Sequence, residues 1–234
     1  MSKSSTPEDH LAALRSSVWF AGLAADFQRW IVAHAKLRSL AAGQRLFAHG
    51  DPADGLYFVV AGAIRMTSSS ADGKEALLAF AETPQWFGEV ALFDALPRAH
   101  DAWIESDVVL LHIDQQDAVR FLDENPVHWK AVGLLMAPKL RLAFEAIESS
   151  VLMPVPVRLA RRLLAIAGGY GERHGLSKRV INVQQEQLGL MLSVSRQTVN
   201  QILRDFEAQG LVQRTRGSIE ILDLASLRRF AEVG

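Results

Sequence analysis

The sequence predicts an α+β chain built from an N-terminal antiparallel roll (β-roll or jelly roll), a long helix, and a C-terminal winged helix-turn-helix. Three observations predict it. Apolar runs separated by Gly-containing turns fill residues 37–115. A helical stretch that is apolar around most of its circumference follows at about 126–149. Near the C-terminus, a capped helix with a polar face stands between a short helix and a hairpin. With 234 residues the chain can hold one large domain or two ordinary ones. The boundary is placed between 149 and 150, giving domains 1–149 and 150–234.

The first ten residues, Met1 to His10, are polar and lack the apolar centre of a signal peptide. No apolar run approaches the ~18–20 residues of a membrane span. A cytoplasmic protein without a membrane partner is the expectation. There are no cysteines, which excludes disulfides, thiolate ligation of haem and all-cysteine iron–sulfur clusters. None of the seven histidines pairs with another at metal-ligand spacing, so no metal site is expected.

A helical segment at about 18–35 precedes the roll and another at about 115–149 follows it. Within the roll, Leu56–Val60, Ala76–Phe80 and Val108–Ile113 read as strands. The segment from Gln85 to His100 carries chemistry. Gly88 permits close backbone approach, and Glu89 opens a helical turn whose free amides can cradle an anion. Arg98 can supply a guanidinium to the same anion, and Glu89 can accept from a sugar hydroxyl. The same residues also describe a plain surface loop with a Glu89–Arg98 ion pair.

In the connector, Val132, Leu135, Met136, Leu140, Ala143 and Ile147 fall on one arc, extended by Ala131, Leu134 and Leu142. Such a helix needs cover on two sides: its own roll and, on the other, a second copy of itself, with Leu135 in the seam. Burial wholly within one subunit is the alternative. Pro138 should bend this helix.

Pro156 suits the first turn of a helix that ends at Gly168-Gly169. The segment from Val183 to Leu192 is a short amphipathic helix broken at Ser193-Val194. Ser195 is a natural N-cap for the next one. There Val199, Ile202, Leu203 and Phe206 share one arc, and Arg196, Gln197, Asn200, Gln201 and Arg204 share the opposite arc. Such side chains suit the guanine and adenine edges of the major groove, although an ordinary solvated helix face fits the pattern too. Gly210 should close the helix, and 211–214 with 218–221 form a wing around Arg216-Gly217. Residues 156–234 carry 12 Lys/Arg against 7 Asp/Glu, the sign that phosphates require.

The stretch Gly50-Asp51-Pro52-Ala53-Asp54-Gly55-Leu56-Tyr57 resembles the entry of cyclic-nucleotide-binding domains, and Phe87-Gly88-Glu89-Val90-Ala91-Leu92 with Pro97-Arg98 resembles their phosphate-binding cassette. With the Ser195-Arg196-Gln197-Thr198-Val199 helix, the chain over about 20–225 resembles the Crp/Fnr transcription regulators. The resemblance implies an effector site at Gly88, Glu89, Val90, Arg98 and Ala99. It also implies DNA contacts from Ser195, Arg196, Gln197, Asn200, Gln201, Arg204, Arg214 and Arg216. The partners implied are double-stranded DNA with a near-palindromic operator, a second copy of the chain, and RNA polymerase, the last through the loop at Arg173-His174-Gly175. The cyclic-AMP-binding members carry Ser or Thr where this chain has Ala99, and adenine-reading hydroxyls where it has Ala143 and Phe144. A cyclic nucleotide thus stays a candidate effector, while cyclic AMP itself is disfavoured. The lack of cysteine sets aside the iron–sulfur sensors of the family. The function expected is an effector-controlled, homodimeric DNA-binding regulator. The alternatives are a ligand-independent or haem-dependent regulator of the same fold and, from another class, a nucleotide-binding enzyme, for which no nucleophile–base pair or Walker loop is found.

Overall fold

The computed structural model describes residues 6–73, 75–171, 180–215 and 217–232. Arg216 and the Arg173-His174-Gly175 loop therefore lie outside the described residues. Two compact units divide the chain: Met1–Ser68 with Phe80–Pro138, and Ser69–Ala79 with Lys139–Gly234.

In the first unit, α1 (Leu11–Ser16), α2 (Val18–Ala21) and α3 (Ala25–His34) precede the roll. Its strands are β1 (Lys36–Leu40), β2 (Arg45–Phe47), β3 (Gly55–Ser69), β4 (Glu75–Glu82), β5 (Trp86–Phe87) and β6 (Asp101–Asp114), with α4 (Val90–Asp94) between the last two. Helix α5 (Gln115–Glu124) and the start of α6 (Trp129–Leu152) complete it. The sheet runs β1-β6-β3-β4, with β2 also on β6 and β5 also on β3. The expected short strands are joined here into long ones. β3 and β6 pair antiparallel over most of their length, with register shifts between Val59 and Ile64 that bend the ribbon.

Alternation along these two strands feeds two cores. Tyr57, Val59, Ile64, Ala102, Ile104, Val108 and Leu110 fill the inside of the roll with Phe47 and Phe87. Leu56, Phe58, Leu111 and Ile113 point the other way, against Phe20, Phe27, Ile31, Leu122, Val132 and Leu135. Both faces of β3 are covered here, which accounts for the unbroken apolar run Leu56–Val60. Trp19 anchors α2 by donating its indole N–H to the Ala131 carbonyl of α6 at 2.6 Å.

Helix α6 corrects one expectation. Leu135 is 2% exposed and Val132 1%, and both sit in the core of their own subunit, so Leu135 is not a seam residue. The large apolar residues of α6 left exposed are Leu134, Leu140, Phe144, Ile147, Val151 and Leu152. Leu140, Phe144, Ile147 and Val151, spaced by four, three and four residues, make one continuous stripe. α6 continues through Pro138.

The second unit contains the rest of α6, then α7 (Val155–Ala167), β7 (Val180–Ile181), α8 (Gln185–Leu192), α9 (Arg196–Ala208), β8 (Val212–Thr215), β9 (Ser218–Ile221) and α10 (Leu224–Glu232). Leu159, Leu163, Leu188, Val199, Leu203, Phe206, Ile219 and Leu227 form its buried centre. The strands order as β7-β9-β8. The arginines of α7 hold the fold. Arg158 donates to the Leu192 carbonyl at 2.6 Å and Arg161 to the Ala231 carbonyl at 2.9 Å, so each closes the C-terminal end of another helix. Arg162 donates to the Leu78 carbonyl at 3.2 Å, in the hairpin tip that belongs to this unit. Part of the basic charge of this half is thus structural. Among the described residues, no helix is long and apolar enough to cross a membrane, and no cluster of His, Cys, Asp or Glu could hold a metal ion.

Candidate functional site

The cassette is built where β5 ends and α4 begins. Gly88 has φ +97, and a Cβ there would lie 2.5 Å from the Gly55 carbonyl oxygen and 3.0 Å from Arg98 Nη1. Only glycine takes this φ and lets the chain pass this close to the Gly55 carbonyl, with the guanidinium beside it. Arg98 is 6% exposed. Its Nη2 donates to Asp54 Oδ1 at 2.6 Å and to the Gly55 carbonyl at 2.7 Å, and its Cζ lies 4.5 Å from the centroid of the Phe47 ring. Its Nε is buried without a hydrogen-bond partner. The counter-ion of Arg98 is therefore Asp54, not the Glu89 of the surface-loop reading. Glu89 is itself 4% exposed at the start of α4.

Asp54 gathers a network. It accepts from the Tyr57 hydroxyl, with Arg38 Nη1 at 3.7 Å, and its carbonyl lies 2.9 Å from His112 Nε2. Burial pushes the Asp54 carboxyl up, but the hydrogen bonds from Tyr57 and Arg98 outweigh it and hold it below the usual range. Tyr57 is raised, by burial first and then by Asp54. Burial likewise lowers His112, and lowers His100 together with the charge of Arg98. The structure thus brings Gly88 and Arg98 together, while Val90 and Ala99 face solvent. A buried guanidinium with an undischarged N–H is fitted to an anion. The role of Asp54 was missed in the sequence, although it stands in the quoted motif beside Gly55.

The second site lies on α9. Ser195 caps it as expected, its Oγ accepting from the Thr198 N–H at 3.1 Å. Helix α8 meets α9 closely, since a Cβ on Gly189 would lie 2.8 Å from the Val194 carbonyl. The buried arc is Val199, Ile202, Leu203 and Phe206. Arg196, Gln197, Gln201 and Arg204 are exposed and Asn200 is half-buried. The helix ends in a Schellman turn: Gly210 at φ +69 donates to the Glu207 carbonyl and Leu211 to that of Phe206. The wing follows, with Val212 opposite Ile221 and Thr215 opposite Ser218. Arg214 is not a free wing cation. Its Nη2 lies 2.6 Å from Glu207 Oε2, and Nη1 donates to Asn200 Oδ1 at 3.3 Å.

The family model for the cyclic nucleotide-binding domain matches residues 37–125, and that for the Crp-like helix-turn-helix domain matches 157–230. A CRP-like cAMP-activated global transcriptional regulator of Mycobacterium tuberculosis is 30% identical over 190 residues, covering 81% of this chain and 85% of the relative. The chain belongs to the Crp/Fnr family of transcription regulators. The cyclic AMP receptor protein of Thermus thermophilus is 26% identical over 218 residues, covering 93% and 98% of the two chains. The solved structure of FixK2 from Bradyrhizobium japonicum shares the fold, with a TM-score of 0.73 at 18% identity over 84% of this chain and 96% of that one. This Crp/Fnr member is a DNA-binding transcription regulator and not an enzyme. Its mixed fold of roll, long helix and helix-turn-helix is the one the sequence predicts.

Proposed function

We propose that this regulator is a cytoplasmic homodimer whose roll takes a small anionic effector of the cyclic-nucleotide class and whose paired α9 helices read a near-palindromic operator. Residues 1–149 sense and dimerise, and residues 150–234 bind DNA. Gly88, Glu89, Val90, Arg98 and Ala99 surround the effector. Ser195, Arg196, Gln197, Asn200, Gln201 and Arg204 face the major groove, with Arg214 and Arg216 on the wing. RNA polymerase is met through residues 173–175. The mechanism is a population shift: the effector favours one arrangement of the two α6 helices, and that arrangement sets the spacing of the recognition helices.

One observation carries the effector reading. Arg98 is buried, presses on Gly88, and keeps Nε unpartnered. A phosphate supplies the acceptor that Nε lacks. The cAMP-activated relative favours cyclic AMP, whereas Ala99 offers no hydroxyl to that phosphate. Calorimetry with cyclic AMP, cyclic GMP and cyclic di-GMP decides among them. Arg98→Ala should weaken whichever binds by roughly 2–5 kcal/mol. A second reading, regulation without a small ligand, is favoured by Asp54, which already meets the charge of Arg98. Silence for all three nucleotides alongside normal operator binding selects it, and a Soret band in that protein identifies haem.

A further inference from the structure

Asn200 stands in the middle of the polar face of α9, where an asparagine free at both ends reads adenine. Its oxygen accepts from N6 and its nitrogen donates to N7. Here the oxygen end is not free. Arg214, on β8, is held by Glu207 of α9 through three contacts: its backbone N–H to Oε1 at 2.6 Å, its Nε to Oε2 at 2.7 Å, and its Nη2 to Oε2 at 2.6 Å. Both side chains are about three-quarters buried, at 25% and 27% exposure, which shields the pair from competing water. The guanidinium is thereby fixed in place, and its remaining Nη1 reaches Asn200.

A guanidinium has donors and no acceptor, so only the amide oxygen of Asn200 can face it. That contact takes one of the two lone pairs of the oxygen and sets a cation beside it, so the amide nitrogen, with both N–H donors, is the end left wholly open to DNA. We infer that Asn200 reads its base pair as a hydrogen-bond donor alone, and that Arg214 is a positioning residue that imposes this polarity from the wing. The inference rests on α9 being the recognition helix. Guanine presents two acceptors to the major groove, N7 and O6, and thymine presents O4. Adenine opposite a donor-only asparagine leaves its N6 amino group unpaired in a desolvated interface, which is costly. The base contacted by Asn200 is therefore guanine or thymine rather than adenine. Glu207, which touches no base, is part of the specificity device.

Binding selection from a randomised operator tests this with full-length protein. Asn200→Ala marks the position, since preference there should vanish. Arg214→Met keeps most of the stem and removes every side-chain donor, leaving the backbone N–H on Glu207. It should move the marked position toward adenine by on the order of tenfold, while leaving the other positions and the salt dependence unchanged. If Arg214→Met does not fold, Asn200→Asp serves, because it leaves the Glu207–Arg214 pair in place and removes the donor. It should abolish the preference for guanine or thymine. Adenine at the marked position in the wild type overturns the proposal alone. So does a motif that Asn200→Ala leaves untouched, a guanine or thymine preference that survives Asn200→Asp, or a uniform loss of affinity with a flatter salt slope in Arg214→Met. A wild type that enriches no motif overturns the recognition-helix reading itself, and this proposal with it.

Discussion

Phe144→Glu in α6 separates dimerisation from folding. Phe144 is 64% exposed, in line with Leu140 at 52%, Ile147 at 62% and Val151 at 76%. Full burial of such a side chain stabilises by about 1.5–3 kcal/mol, so the exposed share of Phe144 corresponds to roughly 1–2 kcal/mol in each copy. A two-fold interface counts the residue twice, giving about 2–4 kcal/mol before any cost of facing two carboxylates across the axis. The dissociation constant should rise by about 30-fold to 1,000-fold. Sedimentation equilibrium reads this directly, and the melting temperature of the resulting monomer should stay close to that of the wild-type fold. Leu135→Glu is the contrast. At 2% exposure it places a charge in the core of its own subunit and should cost several kcal/mol of folding stability. A wild-type monomer at micromolar concentration, or a Phe144→Glu protein that sediments as the wild type does, refutes the assignment of the seam.

Three further outcomes are expected. His100 and His112 have folded-state pKa values below the ordinary 6.5, so the unfolded chain takes up protons first. Their contribution is complete above about pH 6.5 and declines as pH falls below it; a melting series down to about pH 5 should show the decline, and the His100→Gln/His112→Gln double variant should flatten it. Ser195→Ala removes the acceptor for the Thr198 N–H and should cost ~1 kcal/mol in thermal unfolding of the DNA-binding unit; no change means that the cap is made elsewhere. Arg196→Ala should cost about 1–3 kcal/mol per half-site and relax one base pair, while Arg204→Ala should weaken all sequences alike and reduce the salt slope; titrations on matched operators at several salt concentrations distinguish them.

The DNA-binding half was legible because its signals are local. A cap, a two-sided arc and a turn glycine each act within a few residues, and Ser195, Val199 and Gly210 stand where those rules put them. The cassette was half legible. Gly88 and Arg98 announced themselves, but the Asp54 that holds Arg98 is 44 residues away, and no periodicity reports such a partner. The same limit hid the hold of Glu207 on Arg214, since a wing arginine reads as a DNA contact until its neighbour is seen. α6 misled for a different reason. A helix apolar nearly all round has no polar face to fix its orientation, so pattern alone could not tell the side that meets the roll (Val132, Leu135) from the side that does not (Leu140, Phe144). The bulged lengths of β3 and β6 were also beyond pattern, because the turn residues within them proved to be bends rather than breaks.

The tip of the β3–β4 hairpin, Ser69–Ala79, groups with the DNA-binding unit rather than with the strands that carry it. The residues that group with the DNA-binding half are therefore not contiguous along the chain. A fragment started at the connector, the natural choice for expressing the DNA-binding half, omits a piece of that half and strips Arg162 of the Leu78 carbonyl it donates to. A grafted chimera meets the same difficulty, because replacing the whole roll of this protein with another also replaces the hairpin tip that Arg162 donates to. Recombination in this chain is safest when the hairpin tip and the C-terminal segment travel as a pair.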